Sequence, residues 1–114
     1  MKKFMLLIRE DLSRLAEMTE DELQADIAEM TAWAEALAAK GHLLSGEPLE
    51  PDTRYLRKNH IASDGPFAES RESISGYFLI EAEDLDHAAR IAATCPPLRE
   101  DKIAIEVRPL MIYA

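Results

Sequence analysis

The densest polar chemistry in this sequence lies in nine residues, Asp64-Gly65-Pro66-Phe67-Ala68-Glu69-Ser70-Arg71-Glu72. Arg71 carries a forked guanidinium able to hold a carboxylate through two parallel hydrogen bonds. Asp64, Glu69 and Glu72 supply carboxylates suited to a base or an orienting group. Together they can form the rim of a small-molecule pocket. Turn chemistry also accounts for the first three residues without a ligand: Asp bonds its own downstream backbone, Gly is permissive and Pro fixes φ. On that second reading Phe67 plugs the core and the charges form a solvated ion-pair network. Tyr77, a few residues on, can place its hydroxyl in the same cleft, although a half-buried aromatic in a strand needs no such role.

Three histidines, His42, His60 and His87, show no paired spacing and have no cysteine nearby, so no metal site is expected. His60, four residues before Asp64, is the one considered for the cleft. His87 falls in the first turn of an expected helix, and His42 follows a helix C-terminus, where the dipole favours its charged form. Cys95 is the sole cysteine, which excludes an intramolecular disulfide. It precedes Pro96-Pro97 with no adjacent His or basic residue to activate it, so it reads as a small buried hydrophobe rather than a nucleophile. The chain has no Ser-His-Asp order, phosphate-cradling loop or dinucleotide fingerprint. No tightly bound metal or organic cofactor is expected.

The elements that must position these residues are legible in the pattern. Phe4 to Ile8 is a continuous apolar run, as expected of a central strand. Arg9 to Glu17 is charged and aperiodic, and is expected to be a loop with a helical turn. Thr19 and Glu22 have capping-box spacing, with Met18 and Leu23 placed as a hydrophobic staple. Leu23, Ile27, Met30, Ala34 and Leu37 then form one apolar helical stripe with Trp33 beside it. Lys40 and Gly41 supply the end of that helix. His42 to Leu49 reads as a strand. Thr53–Arg57 and His60–Ser63 read as two short strands, with Asn59 taking positive φ in the turn between them. Ser75 to Ala82 is a strand. Asp84 caps a second helix through about Thr94, with Leu85, Ala88, Ala89 and Ala92 on its inner face. Ile103, Ile105 and Val107 alternate in a last strand.

This order gives an α+β, ferredoxin-like split βαβ arrangement, with both helices on one face of an antiparallel sheet. Phe4, Leu6, Ile8, Phe78, Ile80, Ile103 and Ile105 are expected to offer apolar side chains for both sheet faces. No third helix is available to cover the second face, so a second copy of the chain is the expected cover, giving a homodimer.

Composition narrows the class. A length of 114 residues fits one domain spanning 1–114. Thirteen basic against 22 acidic residues give a net charge of −9, a field that repels phosphate backbones and argues against nucleic acid as a partner. No stretch has the length of a membrane helix. The opening lysines and five-residue apolar run lack a cleavage site, so the chain is expected to be cytoplasmic.

The stretch Asp64-Gly65-Pro66-Phe67-Ala68-Glu69-Ser70-Arg71-Glu72, followed by Gly76-Tyr77-Phe78-Leu79-Ile80, resembles the signature of the DGPF branch of the YCII-related family. The likeness continues through Asp84-Leu85-Asp86, Cys95-Pro96 and Glu106-Val107-Arg108-Pro109-Leu110, and includes Met5-Leu6-Leu7-Ile8 and Leu44-Ser45-Gly46-Glu47. It covers nearly the whole chain. The resemblance implies a domain that dimerises sheet to sheet into an α+β barrel with a cleft near the interface. Some family members carry a His-Asp pair there, the His following the first strand. Arg9 to Glu17 contains no histidine, so that pair does not carry over.

Two functions are compatible with these observations. One is a small-molecule-binding protein, with lyase or hydrolase-like chemistry as one form of it, using the cleft near Asp64 to Glu72. The other is a non-catalytic interaction or regulatory module. The second is in keeping with DGPF-type proteins encoded beside alternative sigma factors.

Overall fold

The computed structural model describes residues 1–62 and 72–112. Asp64, Glu69 and Arg71 lie outside the described residues. The elements run β1 (Lys2–Asp11), α1 (Leu12–Glu17), α2 (Glu20–Ala39), β2 (Leu43–Pro48), β3 (Tyr55–Arg57), β4 (His60–Ala62), β5 (Glu72–Ala82), α3 (Leu85–Ala92), α4 (Pro96–Arg99) and β6 (Ala104–Pro109). Among the described residues, four strands form an open sheet in the order β2-β5-β1-β6, with every neighbouring pair antiparallel. β3 and β4 pair separately as a hairpin. The fold is α+β and roughly ferredoxin-like, as the order of apolar runs predicts.

Period-two alternation decides the faces. Phe4, Leu6 and Ile8 of β1 and Ile80 of β5 are buried against Trp33 and Leu37 of α2 and Ala88, Ile91 and Ala92 of α3. Phe78, Ile105 and Val107 pack against the same core, and Ile103 is buried just before β6. These residues therefore all serve one face, contrary to the expectation that they furnish both. The opposite face has a half-buried apolar centre made by Met5 and Leu7 of β1, opposite Leu79 and Tyr77 of β5. Arg9 and Arg108 flank it, both bonded to Glu106 at 3.1 Å. The Arg9 hydrogen bond, then that of Arg108, holds the Glu106 carboxyl below its ordinary value of 4.5.

Several boundaries differ from the sequence reading; β5, for instance, opens at Glu72 rather than Ser75. β1 continues to Asp11, because Arg9, Glu10 and Asp11 pair with Ile74, Ser73 and Glu72 beyond a bulge after Ile8. The ladder here outweighs the polarity of the side chains. The helical turn expected in this segment is α1, capped by Asp11 accepting from the Ser13 N–H at 2.8 Å. The Pro96-Pro97 stop also opens a single extra turn, α4.

α2 follows its predicted caps. The Glu22 N–H donates to Thr19 Oγ1 at 3.1 Å, and the Thr19 N–H donates to Glu22 Oε1 at 3.2 Å. At the other end Gly41 adopts φ +80°, His42 N donates to the Leu37 carbonyl and Gly41 N to that of Ala38. That pair of bonds is a Schellman closure. In α3 the buried residues are Ala88, Ile91 and Ala92, whereas Leu85 and Ala89 are exposed. Asp84 does cap α3, accepting from the His87 N–H at 2.8 Å. No helix among the described residues is long and apolar enough to cross a membrane.

Candidate functional site

The apolar stripe of α2 is used unevenly. Its C-terminal half is core: Trp33 and Leu37 are buried, and Met30 packs against them. Its N-terminal half stands off the sheet, leaving Leu23 37% and Ile27 49% exposed. The cause lies in the floor beneath. Where the sheet would need large side chains to meet Leu23 and Ile27, it offers Gly46, Pro48, Ser75 and Gly76. The result is a cavity of about 470 Å³ under the first half of α2.

Phe78 and Gly46 shape one wall together. A Cβ added at Gly46 would lie 2.5 Å from Phe78 Cδ1, so the ring occupies the space that a side chain would take. The same ring meets Trp33 edge-on, with centroids 5.3 Å apart. Trp33 Nε1 donates to Thr94 Oγ1 at 2.9 Å, and Thr94 donates on to the Ile91 carbonyl at 2.7 Å. This chain ties α2 to the end of α3 and fixes the ring that closes the cavity.

The polar lining is acidic. Glu10 of β1 and Asp26 of α2 both reach the cavity, and Arg14 of α1 bridges them at 2.9 and 3.5 Å. Asp26 also pairs with Lys102 at 3.4 Å, and Lys102 with Glu100 at 2.8 Å. The Glu100 hydrogen bond, aided by Asp26, raises the Lys102 pKa. Glu47 lies on the exposed β2 side. No lysine, arginine, histidine or cysteine lines the cavity among the described residues. Its chemistry is therefore that of an apolar container with the Thr31 and Ser75 hydroxyls in its lining and a charged end where Glu10 and Asp26 are held by Arg14.

The structure separates the residues considered from sequence. Tyr77 lies in the stretch of β5 that lines the cavity, between Gly76 and Phe78, while strand alternation turns it with Leu79 to the opposite face. Glu72 opens β5, exposed and opposite Asp11, and is not part of the lining. His60 is exposed in the β3–β4 hairpin and does not line the cavity. Glu10, Arg14 and Asp26, which sequence reasoning passed over, form the polar end of the site. Their i,i+4 spacing in Glu10 and Arg14 was the available signal, hidden because the segment has no apolar period. Elsewhere, the His42 and His87 rings meet edge-on at 5.4 Å. Burial pushes the Cys95 thiol up to about 11, opposed by a hydrogen bond with the Leu98 backbone and reinforced by Glu29. No group of three or more His, Cys, Asp or Glu side chains suited to a metal ion occurs among the described residues.

An uncharacterized protein of Rhizobium meliloti (strain 1021) is 37% identical over 60 residues, which is 53% of this chain and 48% of that relative. The matched stretch thus spans about half the length of the relative. The YCII-related domain matches residues 2–111, so the chain belongs to the YCII-related family.

Proposed function

We propose that this protein binds a small, mainly apolar molecule carrying an amine or another N–H or O–H donor, in the cavity beneath α2. The cavity is the observation that carries the reading. Its volume of about 470 Å³ falls within the roughly 300–1,000 Å³ common for ligand sites. An anionic ligand would meet Glu10, Asp26 and Glu47 with no basic side chain in the lining among the described residues. A donor group instead finds carboxylate acceptors, while the body of the ligand covers Leu23 and Ile27.

We further propose that the chain works as a homodimer joined through Met5, Leu7, Tyr77 and Leu79, completing an α+β barrel. An apolar centre on an uncovered sheet face supports this arrangement. Within its family we place the chain in the DGPF branch, on the ordered motifs from Asp64 through Leu110.

Thermal melts against paired ligands test the cavity reading. Short aliphatic and aromatic amines should raise the melting temperature, and isosteric carboxylates should not. At a hundredfold excess over Kd the gain should be about 2.7 kcal/mol. Ala34→Phe, which fills the cavity from α2, should abolish the shift while leaving a cooperative melt. A panel in which no amine or alcohol stabilises the wild type would end the proposal.

A further inference from the structure

We propose that the β3–β4 hairpin is an arm that docks on a second copy of this chain, against the exposed ridge of α2 at the mouth of the cavity. In the hairpin, Leu56 pairs directly with Ile61, and both are largely exposed, at 65% and 67%. β3 and β4 pack chiefly on each other, in a molecule only 19 Å thick in its shortest dimension. A lone two-stranded hairpin is marginal in water and gains stability by packing its apolar face on something. The ridge formed by Leu23 and Ile27 is an apolar surface of matching kind.

Charge selects the same pairing. The stretch from Thr53 to Ile61 carries Arg54, Arg57 and Lys58 and no acidic residue, within a chain of net charge −9. None of the three basic residues forms an ion pair among the described residues. The receiving ridge begins with Glu20, Asp21 and Glu22 in the first turn of α2. A basic apolar prong thus faces a need for an acidic apolar seat, and one chain carries both. Two copies related by a two-fold axis make the exchange reciprocally. Each arm then covers the partner's cavity mouth, whether or not a ligand is inside. This contact uses the helix side of the sheet and is separate from association through Leu79.

Disulfide trapping between differently tagged chains tests it. One chain carries Ile27→Cys and the other Leu56→Cys, both positions being exposed. Cys95 stays in both, buried and with its thiol raised to about 11, so it takes no part. Mild oxidation of the mixture should yield the mixed dimer in excess over either same-chain product. High salt should reduce it, as should Arg57→Glu with Lys58→Glu on the arm-bearing chain. Leu79→Arg should leave it in place. The inference is overturned if no mixed product forms, or if it is indifferent to salt and charge reversal. It is equally overturned if a chain with both cysteines closes only on itself at monomer mass, which would make the hairpin a cover for its own cavity.

Discussion

At Gly46, any side chain would place its first carbon 2.5 Å from the Phe78 ring, and at Gly76 it would meet the Glu47 carbonyl at 3.1 Å. Gly46→Ala must displace a ring that also packs on Trp33, and overpacking of this kind costs about 1–3 kcal/mol. Denaturant melts should show that loss, accompanied by a change in Trp33 emission. Cys95 offers a second test by linkage. Its folded pKa of about 11 lies above the ordinary value of 9.0, so the folded chain holds the proton more tightly. The corresponding stabilisation is present in full below pH 9 and is lost as pH rises towards 11. The stability advantage of wild type over Cys95→Ala should therefore shrink across that window. Below it, the native thiol should resist alkylating reagents until the protein unfolds.

Along α2, burial changes within a single helix, and the energetics should follow. Leu37→Ala removes a buried side chain and should cost about 2–5 kcal/mol. Leu23→Ala, on the half that stands off the sheet, should stay within about 1 kcal/mol, since partly exposed apolar atoms lose little on truncation. Equal losses at the two positions in urea melts would contradict the gap beneath the helix. Thr19→Ala removes the cap shared with Glu22 and should cost about 0.5–2 kcal/mol. Fraying of α2 in that variant should also open the cavity end where Leu23 and Asp26 sit.

For the whole molecule, the sheet divides the chain's business. One face is closed by α2 and α3, and the other presents Met5, Leu7, Tyr77 and Leu79 between charged flanks. Leu79→Arg should lower the sedimenting mass by removing association through this face, leaving only copies joined by the arm, with unchanged far-ultraviolet circular dichroism, because the side chain faces away from the core. A wild-type monomer at micromolar concentration would remove the barrel proposal. Acid should loosen the same face: the Glu106 carboxyl is held low by Arg9 and Arg108, so their attraction persists above its ordinary value and fails as pH falls below it.

The sequence by itself determined what is local. Caps at Thr19 and Asp84, the left-handed residues Gly41 and Asn59, and the period of each apolar run are set by neighbours within a few positions, so the elements and their split βαβ order could be read directly. Membership of the YCII-related family was legible for the same reason, as an ordered set of short motifs. What only the tertiary structure decided depends on residues far apart in the chain. Phe4, Leu6, Ile8, Phe78, Ile80, Ile103 and Ile105 all turned to one face, because register and twist, not composition, assign a strand's sides. The cavity exists because Gly46 and Gly76, from two different strands, come to lie under Leu23 and Ile27 of α2. Its acidic end exists because Glu10, Arg14 and Asp26 meet from three elements. An absent side chain leaves no periodic mark in a sequence, and its effect appears only when another element is laid across the gap.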